Sequence, residues 1–272
     1  MSSLIEPEPV RMQHGLALRA GPLAPNPLQP RPGDVVQGDI AACPIAAVMV
    51  AMAHARPAAL SRMLGPHRAG PILSKRRDDQ IFRHWSDHYY EVVFPGRGTP
   101  TRITPFVYFN DQQVQYASMP GGAGWPSYIE KAYAVFKSGG GRGGSGGDYT
   151  RLALGMTIGG PPTLNDVMRD LIGGFDVLDL PGDQFFDSRG NVRAAVAGDI
   201  QAMAARAGGR PTVGPSIANG AERFGIVSNH GYAVLGYQNG VRLRNPWGGA
   251  GATSTISVAT FRQAFQGIWQ AL

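Results

Sequence analysis

The chain has 272 residues, 43% of them hydrophobic, with 25 Lys and Arg against 19 Asp and Glu, 38 Gly, 22 Pro and one Cys. That is enough apolar material for one large domain or two lobes sharing a face, and one cysteine excludes an internal disulfide framework. No run of about 18 apolar residues occurs, so neither a bilayer span nor a membrane partner is expected. The net charge of +6 does not read as a nucleic-acid surface, because the Arg residues are scattered and the tight group Lys75-Arg76-Arg77 runs straight into Asp78-Asp79.

Residues 1–33 contain Pro22, Pro25, Pro27, Pro30 and Pro32 with little periodicity, and read as an extended or partly disordered arm. The first residues lack the basic-then-apolar pattern of a secretory signal. A cytoplasmic location is therefore expected, with a secreted effector lacking a cleavable signal as the alternative.

The segment Gln37-Gly-Asp-Ile-Ala-Ala-Cys43-Pro-Ile carries the only thiol, where a polar loop turns into an apolar run. Pro44 suits the first helical turn, and Ile45, Val48, Met49 and Met52 recur at the helical period. Cys43 is thus expected at the N-terminus of a core helix, where unpaired N–H groups favour a thiolate. The same residues also fit a buried, inert thiol.

Further along, Ala58–Leu64 reads as a short helix, Tyr89–Phe94 and Thr101–Phe109 as a hairpin, and Val114–Ala117 as a return strand. The stretch from Trp125 to Phe136 has helical spacing. Ser138–Gly147 is a Gly/Ser segment that reads as a hinge rather than a phosphate loop, lacking the Gly-Lys-Ser/Thr ending. Beyond it, Thr163–Ile172 carries a capping box between Thr163 and Asp166, and Asn191–Ala207 forms a second helical candidate. Strands follow at Thr212–Ser216, Gly231–Tyr237 and Val241–Asn245, with a turn at Gln238-Asn239-Gly240. Phe261–Trp269 is expected as a short closing helix. A largely helical first half and a strand-rich second half result.

Thiol-based acyl transfer needs an imidazole beside the sulfur, a group to orient the imidazole, and oxyanion donors. His230 leads into one strand of that hairpin, and Asn245 ends the other. Antiparallel pairing makes the two neighbours, so Asn245 can accept from one ring nitrogen. His14, His54, His67, His84 and His88 have no such company and read as surface or packing residues.

With these motifs together, the chain resembles the protease core of the calpains, a branch of the papain-like cysteine peptidases. Gln37-Gly-x₄-Cys43 resembles the nucleophile segment, and Trp125 with Glu130-Lys-Ala-Tyr-Ala134 the first-lobe helix. Gly159-Gly160 lies where a Thr-Gly-Gly element is usual. His230-Gly-Tyr-Ala and Arg242-Leu-Arg-Asn-Pro-Trp-Gly248 resemble the His and Asn segments. The similarity extends over residues 34 to 272.

The resemblance implies an α+β, papain-like, two-lobed fold: a helical lobe over 34–138, a Gly/Ser hinge at 139–147, and a β-rich lobe over 148–272, with the site in the cleft between them. It implies a cysteine endopeptidase acting on protein or peptide substrates without a cofactor. Cys43 would be nucleophile, His230 general base and then acid, Asn245 the orienting group, and Gln37 an oxyanion donor. Trp247 would shield the His–Asn contact from water. A deamidase or transglutaminase using the same thioester, or a non-catalytic pseudo-peptidase that binds, are the alternatives. Pro44 and Ala42 replace the Trp and Asp usual beside the nucleophile, which alters the pocket wall. Asp34 sits at one of the family's calcium positions, but Ala123 stands where its glutamate partner would be, so no metal site and no calcium switch are expected. The composition resembles that of bacterial relatives.

Overall fold

A computed structural model describes residues 16–25, 28–38, 42–75, 81–95, 98, 100–110, 113–137 and 163–272. The expected hinge at 139–147, the Gly159-Gly160 element and the start of the proline-rich arm lie outside the described residues. Those that are described form an α+β fold of six α-helices and three antiparallel sheets. Among them no single helix is long and apolar enough to cross a membrane.

Helix α1 (Cys43–Ala55) is the centre of the molecule. Every residue from Ile45 to Ala53 is buried, so the helix is apolar all round rather than along one stripe, as befits a helix enclosed by other elements. Pro44 sits in its first turn, and Arg56 ends it ahead of α2 (Pro57–Met63).

Strand β11 (Gly231–Tyr237) lies along α1. Its residues alternate between two cores: Ala233 and Leu235 join the cluster around α1, whereas Tyr232 and Val234 join a second cluster with Leu243, Phe261 and Phe265. Such period-two burial on both faces is that of a sheet sandwiched between layers. At its start, a Cβ on Gly231 would lie 3.2 Å from the Cys43 carbonyl oxygen, tighter than an ordinary contact, so glycine eases the close approach of the strand to the first turn. At the other end His54 Nε2 is 2.8 Å from the Leu235 carbonyl oxygen. Helix and strand are thereby clasped at both ends over about 15 Å, the common length of eleven helical rises and four to five strand rises.

The sheet containing β11 has eight strands. Its order is β13 (Thr253–Ile256), β12 (Val241–Arg244), β11, β10 (Thr212–Pro215), β14 (Gly267–Ala271), β7 (Phe175–Asp179), β8 (Gln184–Phe186) and β9 (Val192–Ala194). Between β11 and β12 the register shifts at a bulge between Val234 and Gly236, and Asn239 takes positive φ in the connecting turn. Two three-stranded sheets precede it in sequence: β1 (Leu16–Ala20), β5 (Phe106–Asn110) and β6 (Gln113–Val114); and β2 (Arg68–Lys75), β3 (Ile81–Val92) and β4 (Thr101–Ile103).

Several expectations are corrected. The first half is not largely helical, since six strands share it with α1, α2 and α3 (Trp125–Lys137). Part of the arm is strand β1, paired from Leu16 to Ala20 with β5. The strand expected over Thr101–Phe109 breaks at Thr104-Pro105 into β4 and β5, and Lys131 Nζ fills the break with bonds to the Thr104 and Phe106 carbonyls. Helix α5 covers only Asp199–Arg206, because Asp199 turns back to take the Val196 N–H and the Arg193 guanidinium. Helix α6 (Val258–Ala264) stops before Gly267, from which the chain continues as β14. The capping box on α4 (Leu164–Leu171) is present as read, with Thr163 and Asp166 bonded reciprocally.

Helix α3 buries Glu130 completely, and burial pushes its carboxyl up to about 7 from an ordinary 4.5. The sign follows from linkage. The folded state prefers the protonated carboxyl, so stability falls as pH rises from the unfolded value to the folded one. Glu130→Gln should therefore remove a pH-dependent loss of up to about 3 kcal/mol between pH 4.5 and 7, read from urea midpoints of the two proteins.

Candidate active site

Cys43 is the first residue of α1 and half-buried, with Ala42 as the N-cap. His230 stands immediately before β11 and is buried. Both line one cavity of about 400 Å³, walled also by Thr163, Asn165, Ser216 and Gln266. Two parts of the chain separated by nearly two hundred residues thus meet at one opening. Close packing of Gly231 on the Cys43 carbonyl is what brings them together.

The imidazole is held on its far side. His230 Nε2 lies 2.9 Å from Asn245 Oδ1, and the Trp247 backbone N–H donates to that same oxygen at 2.9 Å. Because a backbone N–H can only donate, the amide atom there is the oxygen, and His230 Nε2 must carry the hydrogen. Nδ1 is left as the basic nitrogen. The Trp247 ring lies 4.7 Å away between centroids, tilted against the imidazole, and is 50% exposed. Tyr232 meets the ring edge-on at 5.2 Å.

Sequence reasoning missed Ser216. Its Oγ accepts the His230 N–H at 2.9 Å and lies 2.7 Å from the Val227 carbonyl oxygen, while its own N–H bonds the His230 carbonyl at 2.8 Å. This fixes the backbone of the histidine on the side away from Asn245. A serine closing a strand carries no local signal of that task. Asn229 adopts φ of 50°, which turns the chain into β11, and asparagine is among the few residues that take this conformation readily.

Gln37 lies in a half-buried segment strung between two neighbours. Val36 forms a two-way backbone bridge with Ser118, and the Gln37 N–H donates to the Pro246 carbonyl at 2.8 Å. The next residue must be glycine: a Cβ on Gly38 would come within 2.4 Å of the Gln115 carbonyl oxygen. Asp34 Oδ2 accepts the Trp125 indole N–H at 3.0 Å and the Arg31 N–H at 2.8 Å. Among the described residues no group of three or more His, Cys, Asp or Glu is placed to hold a metal ion.

Burial governs the charges. It pushes the Cys43 thiol up, against the opposing pull of the Gly231 backbone and its own N–H. It also lowers His230, against the Asn245 bond that favours the imidazolium. Desolvation therefore works against the bias of the helix terminus toward thiolate. A base must be unprotonated to act, so turnover should fall as pH drops through the depressed His230 value. The acid limb of kcat/KM against pH is expected below about 6.5, the ordinary imidazole midpoint. A midpoint above that value would contradict the burial argument.

Compared with protein-family models and with curated proteins, the chain gives no match.

Proposed function

We propose that this chain is a calpain-like cysteine endopeptidase with a papain-like arrangement, its substrate lying extended across the opening between α1 and the eight-stranded sheet. The observation that carries the reading is the shared cavity of Cys43 and His230, with the imidazole anchored through Nε2 to Asn245.

In this reading His230 Nδ1 takes the Cys43 thiol proton as the sulfur attacks the substrate carbonyl carbon. The carbonyl oxygen becomes an oxyanion facing the Gln37 amide and the Cys43 N–H. Collapse breaks the C–N bond, and the imidazolium returns its proton to the departing amine. Water then attacks the thioester, giving its proton to His230, and the sulfur leaves to recover that proton. Trp247 keeps the His230–Asn245 bond dry, which strengthens its hold on the ring through the cycle. Calcium takes no part in these steps, and Asp34 serves as acceptor for Trp125 and Arg31.

The test is alkylation by iodoacetamide at neutral pH. Rapid labelling of Cys43, lost by about 100-fold or more in His230→Ala, is expected of an imidazole-activated thiol. Equal, slow labelling of both proteins would dismiss the reading.

A further inference from the structure

The triad makes no use of α3, yet this helix sends two polar groups toward the segment that carries Gln37. Glu130 is wholly buried, and its Oε2 accepts the Ala117 N–H at 2.7 Å, while no partner meets Oε1 among the described residues. Ala117 is followed by Ser118, whose N–H and carbonyl both pair with Val36 at 2.8 and 2.9 Å. Val36 in turn precedes Gln37. From the first turn of the same helix, the Trp125 indole N–H reaches Asp34, three residues before Gln37. On the opposite side the Gln37 N–H is tied to Pro246, directly after the asparagine that orients His230.

We infer that Trp125 and Glu130 are positioning residues, through which α3 sets the Gln37 amide against the reacting carbonyl. The inference rests on the endopeptidase reading. Each anchor acts on backbone or carboxylate beside Gln37, and its hydrogen bond goes to neither Cys43 nor His230, so the bonds that fix the two halves of the site come from different elements. The thiol–imidazole pair depends on α1 packed against β11. The Gln37 donor depends on α3.

That separation makes the inference testable, because alkylation by iodoacetamide reports the thiol–imidazole pair, whereas peptide turnover needs the oxyanion donor as well. In the full chain, Glu130→Met removes the acceptor for Ala117, and Trp125→Phe removes the indole N–H but keeps a ring. Each should lower kcat by about 10- to 100-fold, the scale of a displacement near 1 Å, at nearly constant KM. Alkylation should stay within about threefold of wild type, and Glu130→Gln, which retains an acceptor, should restore turnover to a similar margin. Unchanged kcat in Trp125→Phe, or a loss shared equally by alkylation, would overturn the assignment. Should Glu130→Met fail to fold, Trp125→Phe decides alone. A wild-type chain without rapid alkylation would instead sink the endopeptidase reading, a failure visible before any variant is made.

Discussion

Exchanging Cys43 for alanine is expected to remove peptide turnover by on the order of 10⁴-fold or more, with no measurable loss of fold. The residue opens α1, but the N-cap is Ala42 and no side chain supplies a capping bond there, so the helix does not depend on the thiol. Alanine is also the best helix former, and removing a half-buried sulfur leaves no deep cavity. An unchanged thermal midpoint beside abolished cleavage would locate the whole effect in the chemistry. His230→Ala should match it in turnover, since the sulfur then has no neighbour to take its proton. Full activity in either variant would refute the proposed nucleophile–base pair.

Gln37→Ala should cost about 10² to 10³ in kcat, the range found when one oxyanion donor is deleted. The expected pattern is specific: kcat falls, KM barely moves, and alkylation of Cys43 proceeds at its wild-type rate. The backbone around residue 37 is bonded through its N–H to Pro246 and through Val36 to Ser118, neither of which needs the side chain. A fall in alkylation parallel to kcat would mean that Gln37 supports the thiol itself rather than the developing oxyanion.

Local chemistry made much of this site legible. The apolar run after Cys43, the glycine after His230 and the tight turn before Asn245 are each contained within a few residues, and all three appear where the pattern put them. What escaped depends on distant partners. Phe261, Ala264, Phe265 and Ile268 are all buried at helical spacing, yet the chain leaves the helix after Ala264 and enters a strand at Gly267, because β10 and β7 offer edges that only the folded sheet creates. Gly267 itself passes so near Leu178 that a Cβ would come within 2.1 Å of its carbonyl oxygen. The burial that opposes ionisation of the thiol is hidden for a similar reason. A helix terminus can be read from sequence, but the depth at which it is buried cannot.

The order of strands along the chain and their order across the large sheet disagree in a consequential way. β14 follows every other described strand along the chain yet lies between β10 and β7, paired over five residues with β7 and over two with β10. The eight-stranded sheet thus has two parts, one leading to His230 and Asn245, the other β7 to β9, and β14 is the strand that joins them. The cavity wall contributed by Gln266 and Trp269 belongs to β14 and the residue just before it. Without that strand the sheet would part into two pieces and the cavity would lose this wall.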